Sequence, residues 1–384
     1  MRGRLALGLL VGSLGALTFL SASASARHAT RKLHARTLTV HLSAKAATGS
    51  GSQEGPLAGI ALDGTHAAYV AAVRVTGRCQ LGERLYRWNL ATGRRSLVSG
   101  GKTCAIPVTS TGRGIAEIAL TRTHSAWTVS SGGNTESAET LFSSTKKPRK
   151  DKELASSDRF GDDTSSSFTG TWIGGLVSDG ARITYATWST AADGTVTESS
   201  LWRVAGSTAT AIASDSGAVA AASANGGRIA LLGAQNTVAV YSGDGRLLET
   251  IAPNAPADWR NIALSGRLVA VLTAGQNGRA DSIDVYDWTT GMPLHSWPAA
   301  GGDVSSFDAY GGIAVYVKGS RVHALDLRSG KDVVVAKRTR AIQGVRLDRA
   351  GLLYYFDLRW SAKHGQSAKL VFVPFRTVAA RLRH

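Results

Sequence analysis

A sequence pattern typical of a strand, a glycine turn and a second strand recurs along this chain, and such self-similarity constrains the fold more than any single motif. Clear copies are Ile60–Val70 (IALDGTHAAYV), Val177–Trp188 (VSDGARITYATW) and Asn261–Thr273 (NIALSGRLVAVLT). In each copy glycine, with Asp or Ser beside it, supplies the positive φ that a tight hairpin needs. The apolar residues after the turn predict strands with one face buried against a neighbouring sheet.

The spacing of the copies sets the size of the repeating unit. First-turn glycines from Gly180 to Gly351 lie 40–46 residues apart. Propeller blades of four strands repeat every ~40–50 residues, so the period matches one blade per unit. Further first-turn copies are Ile118–Val129, Ser223–Gly233, Phe307–Val317 and Val345–Leu358, and copies of the third strand with its turn are Leu85–Arg95, Val238–Thr250, Ser282–Leu294 and Arg321–Val335.

These repeats predict an all-β fold, a seven-bladed β-propeller with four-stranded antiparallel blades over residues 57–384. Blades of this kind surround a channel and leave only short, protected edges. A β-sandwich, or a pair of sandwiches, is the competing fold. A polar insertion at 146–169 interrupts the propeller, and residues 27–56 form a basic linker in which Thr37–Val40 (TLTV) can add an edge strand.

The N-terminus has the pattern of a secretory signal peptide at residues 1–26. Arg2 and Arg4 precede the apolar run Leu5–Leu20, and Ser21–Ala26 (SASASA) supplies small residues for cleavage. The alternative is an uncleaved membrane anchor, but spanning usually needs ~20 apolar residues. The sequence therefore predicts a secreted, periplasmic or cell-envelope protein that contacts a membrane only if this segment is kept.

The chain is strongly basic, with a formal net charge of +17. A basic exterior attracts anionic polymers over long range. In an exported protein the candidates are cell-wall polymers, acidic lipid headgroups and extracellular nucleic acid. The charges are spread along the chain rather than gathered on one element, which favours a general bias toward arginine, and no specific nucleic acid partner is predicted.

The chain contains two cysteines, Cys79 and Cys104. In an oxidising compartment an even pair predicts a disulfide, which here would close a loop in the first repeat. A metal site or a catalytic thiol is the alternative, but no histidine stands at ligand spacing beside either cysteine.

The insertion is the most unusual segment of the sequence. Its basic half can dock an anionic polymer, and its acidic half can offer oxygen ligands to Ca²⁺. A solvated loop without a partner is the simplest interpretation of such a charge run. The basic residues are Lys146, Lys147, Arg149, Lys150 and Lys152, and the acidic ones are Asp158, Asp162 and Asp163.

Motifs for nucleophilic catalysis, metal binding, phosphate loops and dinucleotides are missing from the sequence. The sequence thus predicts no catalytic residue, no metal ligand and no cofactor. Blade symmetry can still bring His66, His124 and His323 to one face of a channel, although surface and turn positions are the simpler expectation. Trp259, between Asp258 and Arg260, is the best candidate for an exposed aromatic side chain.

The repeat resembles those of known propeller families. VSDGARITYATW and IALDGTHAAYV resemble the repeat of TolB-like propellers, and Ala324–Val334 (ALDLRSGKDVV) resembles WD-type and quinoprotein-type repeats. The TolB-like resemblance implies an exported bacterial scaffold that binds proteins. Quinoprotein blades carry a docking tryptophan where this chain has Val334 and His295, so the resemblance does not extend to quinone binding.

Together these features predict an exported binding or scaffold module rather than an enzyme, with a protein or an anionic cell-envelope polymer as its partner. The alternative is a propeller enzyme, such as a carbohydrate-active hydrolase or lyase, with its active site in the channel. That alternative predicts carboxylates or histidines that converge in the channel with pKa values shifted by burial.

Overall fold

The computed structural model describes residues 33–42, 56–74, 81–99, 103–104, 113–133, 136–144, 151–161, 168–275, 281–299, 303–358 and 365–383. In these residues the chain is almost entirely β-strand, ending in one helix. None of their helices is long and apolar enough to cross a membrane. The N-terminal strands are β1 (Arg36–His41), β2 (Leu57–Asp63), β3 (His66–Arg74), β4 (Leu81–Asn89), β5 (Arg95–Leu97), β6 (Thr103–Cys104), β7 (Arg113–Leu120), β8 (Ser125–Gly132), β9 (Glu136–Ser144), β10 (Lys152–Phe160), β11 (Thr169–Ser178), β12 (Ile183–Thr190), β13 (Val196–Ala205) and β14 (Thr208–Ser214).

The second half of the chain likewise consists of short antiparallel strands. Its strands are β15 (Val219–Asn225), β16 (Arg228–Gly233), β17 (Val238–Ser242), β18 (Leu247–Ile251), β19 (Trp259–Ser265), β20 (Leu268–Thr273), β21 (Ser282–Asp287), β22 (Met292–Pro298), β23 (Ser306–Tyr310), β24 (Ile313–Lys318), β25 (Arg321–Asp326), β26 (Asp332–Lys337), β27 (Ile342–Leu347), β28 (Gly351–Asp357) and β29 (Ser367–Pro374), followed by helix α1 (Phe375–Arg383).

Most of these strands form antiparallel blades around a channel. The separate blades number five. Four of them are built on four consecutive strands, namely β2–β5 (with β6 paired to β4), β15–β18, β19–β22 and β23–β26, and the fifth combines β27–β29 with β1. Five first-turn glycines, Gly64, Gly180, Gly226, Gly266 and Gly311, have positive φ between 54° and 88°, whereas Gly351 does not. The predicted propeller is therefore confirmed, and so are the glycine turns of these five repeats.

The prediction of seven separate blades is wrong. Strands β7–β14, where two blades were expected, form one continuous eight-stranded sheet, so the separate blades number five. The cause is β10, which lies in the segment predicted as a polar insertion. Its last residues pair with β11, Arg159 with Gly170 and Phe160 with Thr169. A Cβ atom on Gly170 would lie 2.3 Å from the backbone oxygen of Asp158, so this junction requires glycine.

The ring of blades closes where β1, the first described strand, pairs with β29, the last. Strand β1 pairs with β29 from Arg36–Phe372 to His41–Ser367, and it becomes the outer strand of the last blade. Val40 and Leu42 are buried in this arrangement. The predicted edge strand at Thr37–Val40 thus lies within β1 and holds the first part of the chain to the last.

The apolar core is divided into clusters between adjacent sheets, because the middle of the molecule is a channel. Tyr69 of the first blade, for example, shares one cluster with Leu353 and Phe372 of the last. Facing sheets can pack this closely because alanine occupies many inner positions, such as Ala67 and Ala68. The clusters fix the orientation of each sheet, and so the positions of the turns at both ends of the channel.

Candidate binding site at the channel and the turn face

The channel runs through the centre of the molecule and has a volume of about 760 Å³. Residues of β2, β7, β11, β15, β19, β23 and β27, the innermost strands, line it. These strands all run in the same direction along the channel, since each is the first of a repeat. The turns after the first and third strands of every repeat therefore lie on one side of the molecule, which we term the turn face.

Side chains connect the innermost strands around the channel. Neighbouring sheets do not share strand pairing there, so backbone N–H groups that face the next sheet need other partners. Serine and carboxylate oxygens of the adjacent strand accept them. Leu264 N–H donates to Ser223 Oγ (2.9 Å), Gly312 N–H to Ser265 Oγ (2.8 Å), Leu347 N–H to Asp308 Oδ2 (2.8 Å), Gly175 N–H to Glu117 Oε1 (3.2 Å) and Gly64 N–H to Asp348 Oδ2 (2.5 Å).

Two carboxylates inside the channel carry perturbed pKa values. Burial raises the pKa of Glu117, although hydrogen bonds from Leu176 and Gly175 oppose the shift. Burial also raises the pKa of Asp308, against the attraction of Arg346. A channel enzyme would likewise show carboxylates whose pKa values are shifted by burial. Both carboxylates, however, accept backbone N–H groups of the neighbouring strand, so their first role is to join the sheets.

A second charged group lies where the channel opens on the turn face. Asp63 is buried there, and a Cβ atom on Gly180 would lie 2.9 Å from its Oδ1 atom. Burial raises the pKa of Asp63, while Arg349 and Arg87 lower it and Asp179 raises it further. Acidic and basic side chains are thus mixed at the mouth, with the carboxylates inside and Arg349 exposed.

Asp348 joins the last blade to the first at this mouth. One oxygen accepts the Gly64 N–H, and the other accepts those of Ala350 (2.7 Å) and Gly351 (3.1 Å). Burial nevertheless raises its pKa to about 6, and the nearby charge of Asp63 adds to the shift. The folded protein therefore holds this proton to higher pH than an unfolded chain does.

We expect the change Asp348→Asn to remove one pH-dependent contribution to stability. A carboxyl whose pKa is raised on folding favours the folded state at low pH, so its contribution is lost as pH rises from about 4 through about 6. Relative to D348N, the unmodified protein should lose free energy of unfolding over this range, measured by urea unfolding at several pH values.

The matched control for this change is Asp326→Asn. Asp326 accepts the N–H groups of Arg328 and Ser329 in its own turn. Burial alone would raise its pKa, but these hydrogen bonds hold the pKa below its usual value. Relative to D326N, the unmodified protein should therefore gain stability as pH rises. The same sign for both variants would contradict the assignment.

The two faces of the propeller differ in charge. On the turn face the exposed charged residues are mostly cationic, whereas the opposite face, among the described residues, exposes more carboxylates than cations. The turn face exposes Arg94, Arg95, Arg122, Lys152, Arg182, Arg246, Arg267, Arg328, Lys331, Arg349 and Arg376 against Glu153 and Asp244. The opposite face exposes Glu136, Asp158, Asp193, Glu198, Asp215, Asp258 and Asp303 against Arg260, Arg321, Lys337 and Arg340.

The acidic residues of the turn face are mostly half-buried within turns, which leaves the arginines in solvent. Asp179, for example, accepts the N–H groups of Ala181 and Arg182. Sequence reasoning missed the turn-face arginines because they are far apart in the chain. The signal that identifies them is their position: they follow first and third strands, whose turns share one face.

Of the predicted anionic-partner residues, the structure describes only Lys152, which lies at this face. Lys152 is exposed at the start of β10. Lys146, Lys147, Arg149 and Lys150 lie outside the described residues, between Ser144 and Asp151. Their role in binding a polymer stays a prediction, as does the binding of Ca²⁺, because Asp162 and Asp163 also lie outside the described residues.

The structure does not bring the three candidate histidines together. His66 and His124 lie at turns of neighbouring sheets, whereas His323 is buried in β25, where its Nδ1 atom lies 3.2 Å from Asp332 Oδ1. Within the described residues no group of three His, Cys, Asp or Glu side chains is placed to hold a metal.

The prediction that Trp259 is exposed is wrong. It is 4% exposed and packs at an edge-to-face angle of 66° against Tyr286. Alternate side chains of a strand point to opposite faces, so the polar neighbours Asp258 and Arg260 project outward while Trp259 points inward.

The structure describes only one of the two cysteines of the predicted disulfide. Cys79 lies outside the described residues, and Cys104 ends β6, whose backbone pairs with Gly82. The disulfide stays a prediction. The predicted signal peptide at residues 1–26 also lies outside the described residues.

The comparisons with known proteins identify a fold. No family model matches the sequence, and no curated protein matches it. The solved structure of U3-55K is similar with a TM-score of 0.51 and 14% identity, over 88% of this chain and 98% of that one. The fold is that of a WD40-like β-propeller.

Two further solved structures are similar at lower scores. A crystal structure of RRP9 WD40 repeats has a TM-score of 0.49 and 14% identity over 88% of this chain and 97% of that one. That of Chaetomium thermophilum Raptor has a TM-score of 0.47 and 10% identity over 90% of this chain and 30% of that one. At identities this low, a likeness to a solved structure concerns the fold and carries no function over to this chain. The TolB-like resemblance stays a prediction.

Proposed function

We propose that this chain is an exported binding or scaffold module whose turn face docks an anionic partner, a protein or a cell-envelope polymer. The observation that carries the proposal is the separation of charge between the two faces. Because the exposed charges of one face are mostly cationic, a partner with clustered negative charge is attracted to that face. Protein partners agree with the use of WD40-like propellers as interaction modules.

The turns that carry these charges are held in fixed positions, which suits a docking surface. Asx-type hydrogen bonds order them, as when Asn89 Oδ1 accepts the N–H groups of Ala91 and Thr92. A contact between two parts of the eight-stranded sheet adds to this order, since Ser143 Oγ at the end of β9 donates to Gly206 O in the turn between β13 and β14 (2.9 Å). A surface arranged before binding loses less entropy when the partner docks.

The test compares the two faces with equal charge removed. A turn-face variant replaces Arg122, Arg246 and Arg328 by serine, and an opposite-face variant replaces Arg321, Lys337 and Arg340. The unmodified protein and each variant are used to capture partners from the exported fraction of the native cells. Captured proteins are identified by mass spectrometry, and captured polymers by assays for phosphate and uronic acid. We expect a partner that the unmodified protein and the opposite-face variant retain and the turn-face variant loses.

Two results would contradict the proposal. Equal retention by all three proteins would show that the turn-face cations do not contribute. Loss of the partner only with the opposite-face variant would place docking on the other side of the propeller. Thermal unfolding of each variant shows whether the fold is kept, and exposed substitutions of this kind usually change stability by less than about 0.5 kcal/mol.

A further inference from the structure

The channel has two unlike walls. On one side, the innermost strands of three adjacent blades line it with polar side chains, namely Asn261 of β19, Asp308 of β23, and Gln343 and Arg346 of β27. On the other side, the innermost strands contribute many residues with small side chains, among them Ala58, Ala116, Ala222 and Ala224. The small side chains leave room in the channel, and the polar wall supplies groups that can hold a molecule there.

Arg346 is a cation inside the channel that no described carboxylate pairs. Its side chain is exposed to the channel and donates one hydrogen bond, to the backbone oxygen of Val345 (2.9 Å). Its charge opposes the rise that burial causes in the pKa of Asp308, on the neighbouring strand, and of Glu117, on β7. Within the described residues, however, no ion pair joins Arg346 to either carboxylate. Most of its N–H groups are therefore available to a ligand.

The two carboxylates near Arg346 are held in place by the backbone. Each accepts two N–H groups, one on each oxygen, which offsets part of its negative charge. The donors are Ala309 and Leu347 for Asp308 (2.8 Å each) and Gly175 and Leu176 for Glu117 (3.2 and 3.3 Å). A carboxylate oxygen has two lone pairs, so both side chains can still accept a hydrogen bond from a hydroxyl group in the channel.

Amide side chains complete the polar wall. Gln343 is exposed to the channel and makes no side-chain hydrogen bond with the other described residues. Asn261 accepts only the N–H of the next residue, Ile262 (2.8 Å), so its NH₂ group is available. An amide both donates and accepts hydrogen bonds, and so does a hydroxyl group. This wall therefore suits a ligand that carries several hydroxyl groups.

The charges around Arg346 indicate which anionic group fits beside it. A carboxylate carries a single charge, and it can accept two parallel N–H groups from one guanidinium. A phosphate group carries about −1.5 to −2 at neutral pH, so its additional charge would be repelled by Asp308 and Glu117. The channel volume of about 760 Å³ also lies in the range of small-molecule sites, about 300–1,000 Å³.

We propose that the channel binds a small polyhydroxylated carboxylic acid, a sugar acid, with its carboxylate on Arg346 and its hydroxyl groups on Gln343, Asn261 and Asp308. This site is separate from the exposed cations of the turn face, so it goes beyond the docking function proposed above and does not depend on it. A free sugar acid and the terminal unit of an acidic polysaccharide present the same groups to the channel.

The experiment measures binding of galacturonate by isothermal titration calorimetry. Galactose, which has the same ring hydroxyl groups without a charge, and galactose 6-phosphate, which has a phosphate group in place of the carboxylate, are the comparison ligands. We expect galacturonate to bind at least about tenfold more tightly than either, because hydrogen bonds to a charged group are the stronger ones.

Substitutions of Arg346 test its role in holding the carboxylate. Arg346→Gln should weaken galacturonate binding at least about tenfold and change galactose binding by less than about twofold. Arg346→Lys keeps the charge but not the planar pair of donors, and should weaken galacturonate binding about threefold. Arg321→Gln is the matched control, since it removes the same charge from an exposed position outside the channel, and should change the affinity less than about twofold.

A further variant tests the site without changing its charge. Ala58 and Ala116 are both exposed to the channel, and phenylalanine at both positions occupies space that the ligand needs. We expect this double variant to bind no galacturonate that calorimetry detects. Thermal unfolding shows whether each variant keeps the fold, and if the double variant does not, the substitutions of Arg346 decide the result.

Several outcomes would overturn the inference. They are equal affinity for galacturonate and galactose, unweakened binding by R346Q, and no binding of galacturonate at all. Tighter binding of galactose 6-phosphate would also overturn it, as would tighter binding of glutamate, which has carboxylates but no hydroxyl groups.

Two comparisons complete the test. Tighter binding of trigalacturonate than of galacturonate would identify a polysaccharide end as the ligand, and equal binding a free sugar acid, and both results support the inference. The turn-face variant described above should bind galacturonate with unchanged affinity, because none of its substituted residues lines the channel. Failure of the channel site therefore leaves docking on the turn face intact.

Discussion

Replacement of Arg159 by methionine is expected to lower the free energy of unfolding by about 3–5 kcal/mol. Arg159 is 5% exposed and sits in β10, where it donates to both oxygens of Glu139 and to Ser137 Oγ (2.6 Å). Its guanidinium carbon also lies 3.6 Å from the ring centroid of Trp172 in β11. Without it, the Glu139 carboxylate remains buried with no opposite charge.

The effect is measured by urea unfolding followed by tryptophan fluorescence. Lys152→Met, at the exposed start of the same strand, is the matched control and should cost less than about 0.5 kcal/mol. In the double variant R159M/E139L no charge remains buried, so much of the loss should be recovered. A loss below about 1 kcal/mol for R159M, or no recovery in the double variant, would contradict the role assigned to this ion pair.

The second large effect is expected from Val40→Asp at the closure of the ring. Val40 is 7% exposed and packs in a cluster with Leu353 and Phe372 of the last blade. A carboxylate there has no partner, so we expect the free energy of unfolding to fall by about 3–4 kcal/mol near neutral pH. Because burial raises the pKa of such a carboxyl, lowering the pH should restore part of the loss.

Thr37→Asp is the control for this change, since Thr37 lies on the same strand with its side chain exposed. Thermal unfolding and limited proteolysis of the N-terminus are the measurements. V40D should make β1 sensitive to protease while T37D stays resistant. Equal resistance of the two variants would show that β1 does not hold the ring closed.

Much of the fold could be predicted because its signals are local. A turn such as Asp63-Gly64 fixes a hairpin by the positive φ of its glycine, whatever surrounds it. The repeat of such turns then predicts strands of similar length that stack as blades. The expected edge strand Thr37–Val40 was also within reach of the sequence, since its alternation of polar and apolar residues is itself local.

Burial of polar residues explains where the prediction failed. The segment of β10 contains Lys, Glu, Ser, Asp and Arg, a composition typical of a solvated loop. Ser157 and Arg159 are buried only because Glu139, some twenty positions earlier, supplies hydrogen bonds and the opposite charge. No pattern within the segment records that partner, so the strand, and with it the continuous eight-stranded sheet, was missed.

The candidate site shows the same division between local and distant causes. The arginines of the turn face are dispersed in the sequence, and that dispersion favoured a charge bias without a partner. In the structure, Arg94, Arg122 and Arg349 lie on one side because their turns all follow first or third strands. The pKa of Asp348, raised to about 6, likewise depends on burial and on the nearby charge of Asp63, a residue far from Asp348 in the sequence.

The sequence by itself determined the propeller, since apolar periodicity and glycine turns act within a few residues of the backbone. Only the tertiary structure decided how many sheets are separate, which polar side chains are buried, and which charges share a face. Those properties arise from contacts between distant segments, such as Arg159 with Glu139 and Asp348 with Gly64. Burial and electrostatic attraction depend on distances in space, which the order of residues along the chain does not specify.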